Sequence, residues 1–410
     1  MGHIGLISFI SPISFISLVG FVSLVSSCSK DDGFVDDGQN QNPAGVAIGG
    51  VSGYATYFEE HDQQTRSGGA LTRTWELPEE IKTDYVDYEG GYQPIAIAFT
   101  QNTKTPMMRY FFKVDDEWRI DTGDGIEAGY DYQLYGFIPN KTGIEYSITD
   151  RGGANANYTE GAIMKLQNVP SVMSEDLCVV IGAKHGFDKE HDGNSDGTNR
   201  LRQGDFTYNA KAFAGTSGSD VDGGNYVFLL FDHLYASLCI NMKVHSDYAK
   251  VRQIKLDSLM LRTQVDNVPS RKKTDITITL EANNGITSPI ETISYSPTAG
   301  SEDIDEKGLT FWSSKTGHPL TTKFQPFIGH FMPLSITRLI LTSFYDVYDT
   351  KGNLIRENCK AVNSVLLSEL FSGQTMTERG KRYIVNMTIQ PTYLYMLSEP
   401  DLNNPTTVIE

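Results

Sequence analysis

The chain has 410 residues and a formal net charge of −17, with 51 acidic against 34 basic side chains. Nucleic-acid binding depends on Lys and Arg side chains that neutralise phosphates, so this balance disfavours a nucleic-acid partner. It equally disfavours electrostatic attachment to anionic lipid. Hydrophobic residues make up 39% of the chain, which is enough for the cores of two domains. Tyr and Phe are the main aromatic residues, and they favour strands over helices.

The chain opens on an apolar segment that ends at a cysteine. No charged side chain occurs between Ile4 and Ser27, and the letters "VSSC" (25–28) then supply a branched apolar residue, two small residues and a thiol. A secretory signal has an apolar core of about 7–15 residues followed by small residues at its cleavage site. We therefore expect residues 1–27 to be a bacterial lipoprotein signal peptide and Cys28 to carry the lipid. An uncleaved transmembrane helix is the alternative, which the Ser content of the segment disfavours.

A polar, acidic stretch follows the cysteine. Residues 29–44, "SKDDGFVDDGQNQNPA", contain too few apolar side chains to pack. Residues 28–44 are therefore predicted to be a flexible acidic tether. A cysteine followed at once by Ser and acidic residues also resembles the surface-export signal of lipoproteins in Bacteroidetes-type bacteria. This resemblance implies a surface-exposed location on the cell outer membrane.

From residue 45 onwards, short β-like runs alternate with Gly, Asp and Asn. This spacing is typical of all-β sandwiches, and only residues 362–371, "VNSVLLSELF", suggest a helix. A Gly/Ser/Asp-rich stretch at 214–225 predicts a linker between an N-terminal sandwich domain (45–213) and a C-terminal one (226–410). The clearest runs are 51–58, 93–99, 107–114, 132–139, 176–183, 226–244 (two strands meeting near His233), 251–263, 275–280, 334–348, 382–389 and 392–397.

Motifs for catalysis, metal or cofactor binding are not found in the sequence. Cys178 and Cys239 lie in apolar runs and are predicted to be buried free thiols, and the lack of a CxxC pair predicts no metal or redox site. No zinc-type histidine pair, GxSxG elbow or phosphate-binding loop occurs. The letters "DGNSDG" (192–197) begin like a calcium loop, but Gln203 stands where the bidentate Glu belongs. A hydrated acidic loop is therefore favoured over a calcium site, and we expect a protein that is not an enzyme and has no cofactor.

Two other segments have patterns that suggest a function. The first is the polar loop within "YFEEHDQQTRSGGALTRTW" (57–75), which places Arg66 and Arg73 where a trypsin-like protease could cut. The second is the C-terminus, where "TYLYML" alternates and a loop leads to a last apolar piece, "TTVIE". Such a terminal strand can pair with its own sheet or with an open sheet edge of a neighbouring molecule.

Together these features resemble the fimbrillin family of type V fimbrial subunits and accessory proteins of Bacteroidales. The resemblance rests on the lipoprotein start, the Arg-bearing loop after the first strand, "FDHLYASLCINMKV" and the closing "GKRYIVNMTIQPTYLYMLSEPDLNNP". It implies two tandem transthyretin-like β-sandwich domains, export as a lipoprotein and surface proteolysis after an arginine. Cys28 would be the lipid site, and Arg66 or Arg73 the cleavage site. The segment Thr392–Ile409 would be the donor strand that fills the groove of another subunit.

Three functions remain open at this point. The first is a fimbrial shaft or tip subunit that is cut by an Arg-specific surface protease, polymerises with other fimbrial subunits by donor-strand exchange and serves cell adhesion. The second is an uncleaved, lipid-anchored accessory protein of the fimbria. The third is a glycan-binding surface lipoprotein whose Tyr and Trp rings stack on sugars. The exposed arginine loop favours the first.

Overall fold

The regular structure of the described residues is almost entirely β-strand, which confirms the all-β prediction. The computed structural model describes residues 46–53, 58–61, 95–114, 117–120, 126–127, 129–152, 157–186, 201–209, 225–283, 288–371 and 376–389. Its helices are three short turns, Tyr158–Glu160, Ser246–Ala249 and Leu367–Leu370. Among these described residues, no helix is long and apolar enough to cross a membrane.

The strands are numbered in chain order. They are β1 (Val46–Gly53), β2 (Phe58–His61), β3 (Ile95–Thr100), β4 (Met107–Val114), β5 (Glu117–Ile120), β6 (Asp131–Ile138), β7 (Glu145–Asp150), β8 (Gly161–Pro170), β9 (Val172–Met173), β10 (Cys178–Gly186), β11 (Thr207–Asn209), β12 (Asn225–His233), β13 (Ala236–Val244), β14 (Gln253–Val265), β15 (Val268–Pro269), β16 (Lys273–Glu281), β17 (Ile290–Pro297), β18 (Leu309–Pro319), β19 (Gln325–Phe331), β20 (Arg338–Tyr348), β21 (Leu354–Leu366) and β22 (Lys381–Ile389).

A first hydrophobic core is formed by two sheets. One sheet has the strand order β10-β12-β1-β5-β4-β3-β6-β11, and a further pairing of β10 with β6 closes it on itself. The other has the order β17-β16-β8-β7 and is antiparallel throughout. Buried side chains of both sheets belong to one cluster, for example Phe137 and Leu230 from the first sheet and Leu166 and Ile278 from the second.

A second hydrophobic core is formed by the remaining two sheets. Their strand orders are β2-β22-β13-β19-β9 and β15-β14-β20-β21, and β18 pairs with β14. Leu238 and Tyr383 from the first of these sheets and Leu259 and Leu341 from the second lie in the same buried cluster. Each core is therefore a two-layer sandwich, the architecture in which a sheet with one apolar face is stable in water.

The strands of the two cores are interleaved along the chain. The hairpin β16–β17 follows the predicted linker but pairs with β8 and completes the first core. Conversely, β9 precedes the linker but pairs with β19 of the second core. The strand β12, directly after the linker, belongs to the first core, and β13 belongs to the second. Residues 210–224 lie outside the described residues, and the division into domains at 214–225 stays a prediction.

The alternation of apolar residues that predicts strands is visible in the burial of β14. Ile254 and Leu256 are buried on one side of a β-bulge, and Leu259 and Leu261 are buried on the other. A strand buries every second residue, and the extra residue of a bulge shifts that alternation by one position. The bulge between Leu256 and Ser258 therefore keeps both halves of a 13-residue strand facing the same core.

The helix predicted over 362–371 is wrong for its first half. Strand β21 continues to Leu366, and only Leu367–Leu370 forms a helical turn. Val362 and Val365 are β-branched, which favours a strand, and they pair with Thr342 and Leu339 of β20. The ladder with β20 overrides the local helical pattern, because each paired residue gains a cross-strand neighbour that an isolated helix turn would lack.

Gly329 lies in β19 where there is no room for a side chain. A Cβ built at this position would lie 2.2 Å from the ring carbon Cδ2 of Phe311, which is 1% exposed. Overpacking of this kind costs about 1–3 kcal/mol, so Gly329→Ala is expected to lower the free energy of unfolding by that amount in urea. In the control Gly152→Ala, the new Cβ would meet its nearest neighbour, Asp150 Oδ1, at 3.4 Å, and the expected change is small. Equal stability of the two variants would contradict the packing at Phe311.

Candidate strand-exchange site

The N-terminal strand β1 lies inside the closed sheet of the first core. It pairs in parallel with β12 from Val46↔Asn225 to Gly53↔Phe231. On its other side it pairs with β5 through Ala47↔Arg119. Each paired position satisfies backbone N–H and C=O groups that would otherwise be open. The strand is therefore part of the ladder that covers one side of β12.

The partner strand β12 is deeply buried. Val227, Leu229 and Leu230 are fully buried, and Phe231 is 1% exposed. On the side away from β1, the strand is held by β10 in an antiparallel ladder that runs from Cys178↔His233 to Gly186↔Tyr226. If β1 left, β12 would keep β10 and would become an edge strand with a row of open backbone groups, which is a template for another strand.

The second N-terminal strand, β2, lies on the sheet of the other core. It pairs in parallel with β22 from Phe58↔Lys381 to His61↔Ile384 and occupies the edge of that sheet. On its other side, β22 pairs in parallel with β13. The segment 46–61 therefore contributes one strand to each core, and both strands precede Arg66 and Arg73 in the chain.

The two strands that receive β1 and β2 are joined by an ion pair. Arg379 stands just before β22, and its Nη1 lies 2.8 Å from Asp232 Oδ2 in β12 and donates a hydrogen bond of 3.0 Å to the carbonyl of His233. The carboxylate side chain is 4% exposed and the guanidinium side chain 21% exposed. Burial lowers the pKa of Arg379, but the Asp232 carboxylate more than offsets this, so that the pKa is raised above its usual value. The arginine therefore keeps its charge.

The chain passes from β12 to β13 through two residues, Leu234 and Tyr235, which we call the crossing segment. Its backbone is held by Leu234 N–H donating to Leu177 and by Gly380 N–H donating to Tyr235, both at 2.8 Å. The hydroxyl of Tyr295 donates to the Leu234 carbonyl at 2.6 Å, and burial raises the pKa of this hydroxyl well above its usual value. A neutral phenol is what this donor role requires. The crossing segment is thus fixed by groups from both halves of the chain.

The site residues predicted from the sequence lie outside the described residues. These are the lipid-bearing Cys28, the cleavage candidates Arg66 and Arg73, and the donor candidate Thr392–Ile409. The acidic loop at 192–197 lies outside them as well. The three cysteines among the described residues, Cys178, Cys239 and Cys359, form no disulfide bond, and all three are buried, as predicted for Cys178 and Cys239.

Sequence analysis missed two features of the site. The first is that β1 and β2 pair with different sheets, whereas the sequence pattern predicts one strand over 51–58. The second is Arg379, which is one of several charged residues in "TERGKR". A polar loop before a strand carries no signal that one of its arginines reaches a buried carboxylate far away in the sequence.

Comparisons with known proteins found only distant likenesses. No family model and no curated protein matches the chain. Among solved structures, the chain is similar to a fimbrial protein from Bacteroides vulgatus, with 12% identity, a TM-score of 0.31 and coverage of 83% of this chain and 95% of that one. It is also similar to a provisionally assigned cell adhesion protein from Bacteroides uniformis, with 11% identity, a TM-score of 0.32 and coverage of 86% and 94%. A fimbrial protein from Bacteroides ovatus is 10% identical, with a TM-score of 0.27 and coverage of 85% and 50%.

Proposed function

We propose that the chain is a subunit of a type V fimbria that is exported to the cell surface as a lipoprotein, cut after Arg66 or Arg73 and polymerised by donor-strand exchange for adhesion. One observation carries the proposal. Strands β1 and β2 each occupy a position on a different sheet, and both precede the two arginines. A single cut at either arginine would therefore detach both strands from the rest of the chain.

Loss of β1 and β2 would leave one open strand position beside β12 and one beside β22. β12 would keep β10, and β22 would keep β13, so each sheet would retain its other strands and its core. Each vacancy would present a row of open backbone groups beside buried apolar side chains. A strand from a neighbouring subunit would restore the ladder, and burial of its apolar side chains would add about 25 cal/mol per Å².

The donor in this proposal is the segment Thr392–Ile409 of the next subunit. It begins three positions after the end of the last described strand, β22, and it combines the alternating letters "TYLYML" with a terminal "TTVIE". Partners are thus other fimbrial subunits, an Arg-specific surface protease and, before cleavage, the outer membrane through lipid on Cys28. The proposed role needs no catalytic residue or cofactor.

The test is the intact mass and N-terminal sequence of the protein recovered from the surface of the cells that produce it. A new amino terminus at Ser67 or Thr74, with loss of the preceding segment, is the expected result. An acylated Cys28 on an uncut chain would contradict polymerisation by this route. That outcome would instead support the lipid-anchored accessory protein.

A further inference from the structure

Side chains that commonly bind transition metals meet beside the crossing segment. Asp176, Cys178 and His233 each offer one ligand atom, and these atoms all lie within 4.8 Å of one another. Asp176 and Cys178 have no exposed surface, and His233 is 4% exposed. A fourth side chain, His330, is 3% exposed and lies against the same carboxylate. The four residues form one buried group, which we call the DCHH cluster.

The topology of the sheets brings the first three residues together. Cys178 and His233 are direct cross-strand partners of the antiparallel pair β10 and β12, so their side chains stand on the same face. Asp176 lies two residues before Cys178. The Nδ1 atom of His233 is 2.7 Å from Asp176 Oδ2 and 3.4 Å from Cys178 Sγ. One ring nitrogen is thus within reach of both a carboxylate and a thiol.

The fourth residue has the orientation that is usual for a metal-binding histidine. Nδ1 of His330 lies 3.1 Å from the carbonyl oxygen of Ser174. Because a carbonyl can only accept a hydrogen bond, Nδ1 carries the proton, and the neutral ring then has its lone pair on Nε2. Metal-binding histidines almost always donate their other N–H to a carbonyl or carboxylate in this way. The Nε2 atom lies 3.8 Å from Asp176 Oδ2, so a cation placed between them would be within reach of both atoms.

We propose that the DCHH cluster binds one Zn²⁺ ion through Asp176, Cys178, His233 Nδ1 and His330 Nε2. Tetrahedral zinc with bonds of about 2.0–2.3 Å places its ligand atoms about 3.3–3.7 Å apart. Three of the six ligand separations, His233 to Asp176 at 2.7 Å, His233 to Cys178 at 3.4 Å and His330 to Asp176 at 3.8 Å, bracket this range. Zinc binding would move these three pairs by about half an ångström or less, and His330 would approach the other ligands. One carboxylate, one thiolate and two imidazoles form a ligand set that suits zinc.

The proposed ligand set balances the charge of the ion. Zinc binds the deprotonated forms of its ligands, a carboxylate at Asp176, a thiolate at Cys178 and neutral imidazoles at His233 and His330. Two anionic ligands, two neutral ligands and a dication form a neutral site. The buried site therefore gains four coordinate bonds without burying a net charge.

The bound ion would join the two cores. Cys178 and His233 belong to the closed sheet of the first core, and His330 lies in β19 of the second. The neighbouring ion pair of Asp232 with Arg379 links the same two cores. This inference is independent of the proposed function, because it rests on side-chain geometry alone.

The test uses Co²⁺ as a spectroscopic probe for zinc on the full chain, expressed without lipid. We expect one Co²⁺ per chain, a thiolate-to-cobalt charge-transfer band, displacement by one equivalent of Zn²⁺ and a higher melting temperature with Zn²⁺. The band should disappear in Cys178→Ser and stay in the controls Cys239→Ser and Cys28→Ser. His330→Gln should weaken Co²⁺ binding by at least about tenfold.

Three outcomes would contradict zinc binding by the DCHH cluster. One is the absence of the charge-transfer band in the wild-type chain, even if Co²⁺ binds elsewhere through oxygen ligands. Another is a band that persists in Cys178→Ser, and the third is unchanged Co²⁺ affinity in His330→Gln. Because the wild-type titration decides the first outcome, a variant that fails to fold does not leave the proposal untested.

Discussion

Treatment of the purified full chain with an arginine-specific protease is expected to convert monomers into a ladder of multimers. The variant Arg66→Ala/Arg73→Ala is expected to remain monomeric under the same treatment. The readout is size-exclusion chromatography with light scattering, followed by mass spectrometry of each peak. We expect nearly all of the cut protein and almost none of the double variant to form multimers. Cleavage removes the covalent tether of β1 and β2 and does not merely weaken their binding.

The physical reason is the loss of tethering. Before the cut, β1 is part of the same chain as β12, and a tether of this kind gives an effective concentration of about a millimolar. After the cut, the fragment that contains β1 and β2 is a free ligand. At a protein concentration of about a micromolar it has lost roughly a thousandfold advantage. The donor segment of another subunit can then compete for the positions beside β12 and β22.

Two controls make the experiment specific. Arg271→Ala removes an arginine that is half exposed and lies outside the predicted loop, and it should leave the ladder unchanged. A synthetic peptide of residues 392–409 added in excess should cap the cut chains and shorten the ladder. Cut chains that stay monomeric, or a double variant that polymerises as the wild type does, would contradict strand exchange at these positions.

Replacement of Arg379 by Met is expected to lower the free energy of unfolding by about 3 kcal/mol. The substitution removes the cation that lies 2.8 Å from the Asp232 carboxylate and leaves that charge in a site with almost no solvent. Removal of one partner of a buried ion pair typically costs 3–5 kcal/mol, and the partial exposure of Arg379 places the expected value at the low end. Urea denaturation followed by tryptophan fluorescence measures the change.

A second substitution separates the loss of the charge pair from the loss of packing. The variant Arg379→Met/Asp232→Asn no longer buries the carboxylate charge, so part of the lost stability should return. Arg338→Met serves as the control, because this arginine makes a solvent-exposed hydrogen bond of 3.0 Å to Ser364, and its loss should change stability by less than about 1 kcal/mol. A loss of stability for Arg379→Met no larger than for Arg338→Met would show that the ion pair does not hold β12 and the start of β22 together.

Much of the strand content follows from local sequence. The run "MMRYFFKV" (107–114) coincides with β4, and the junction predicted near His233 is the end of β12. Alternation in "QIKLDSLML" appears as alternating burial in β14. These predictions hold because a strand buries every second side chain, so the pattern is set by neighbouring residues along the chain. The same local argument fails for 362–366, where pairing with β20 makes a strand of a pattern that resembles a helix.

Which strands lie side by side is decided only by the tertiary structure. Period-two alternation says which face of a strand is buried, but it carries no information about the neighbouring strand. No local sequence pattern therefore predicts that β1 pairs in parallel with β12, more than 170 positions away in the chain. The same holds for the pairing of the hairpin β16–β17 with β8 of the first core.

Some of the candidate sites can be predicted from the sequence, and others are visible only in the tertiary structure. Cys28, Arg66, Arg73 and the segment Thr392–Ile409 follow from short motifs and from the order of segments, so the sequence by itself determined these predictions. The DCHH cluster and the pair Arg379–Asp232 came only from the structure. The absence of a CxxC pair predicts no metal site. The zinc site that we propose uses Cys178 opposite His233 in an antiparallel pair, with His330 added by β19 of the other core. Ligands assembled from separate strands have no fixed spacing in the chain, because hydrogen-bonded ladders and the packing of two cores determine their distances.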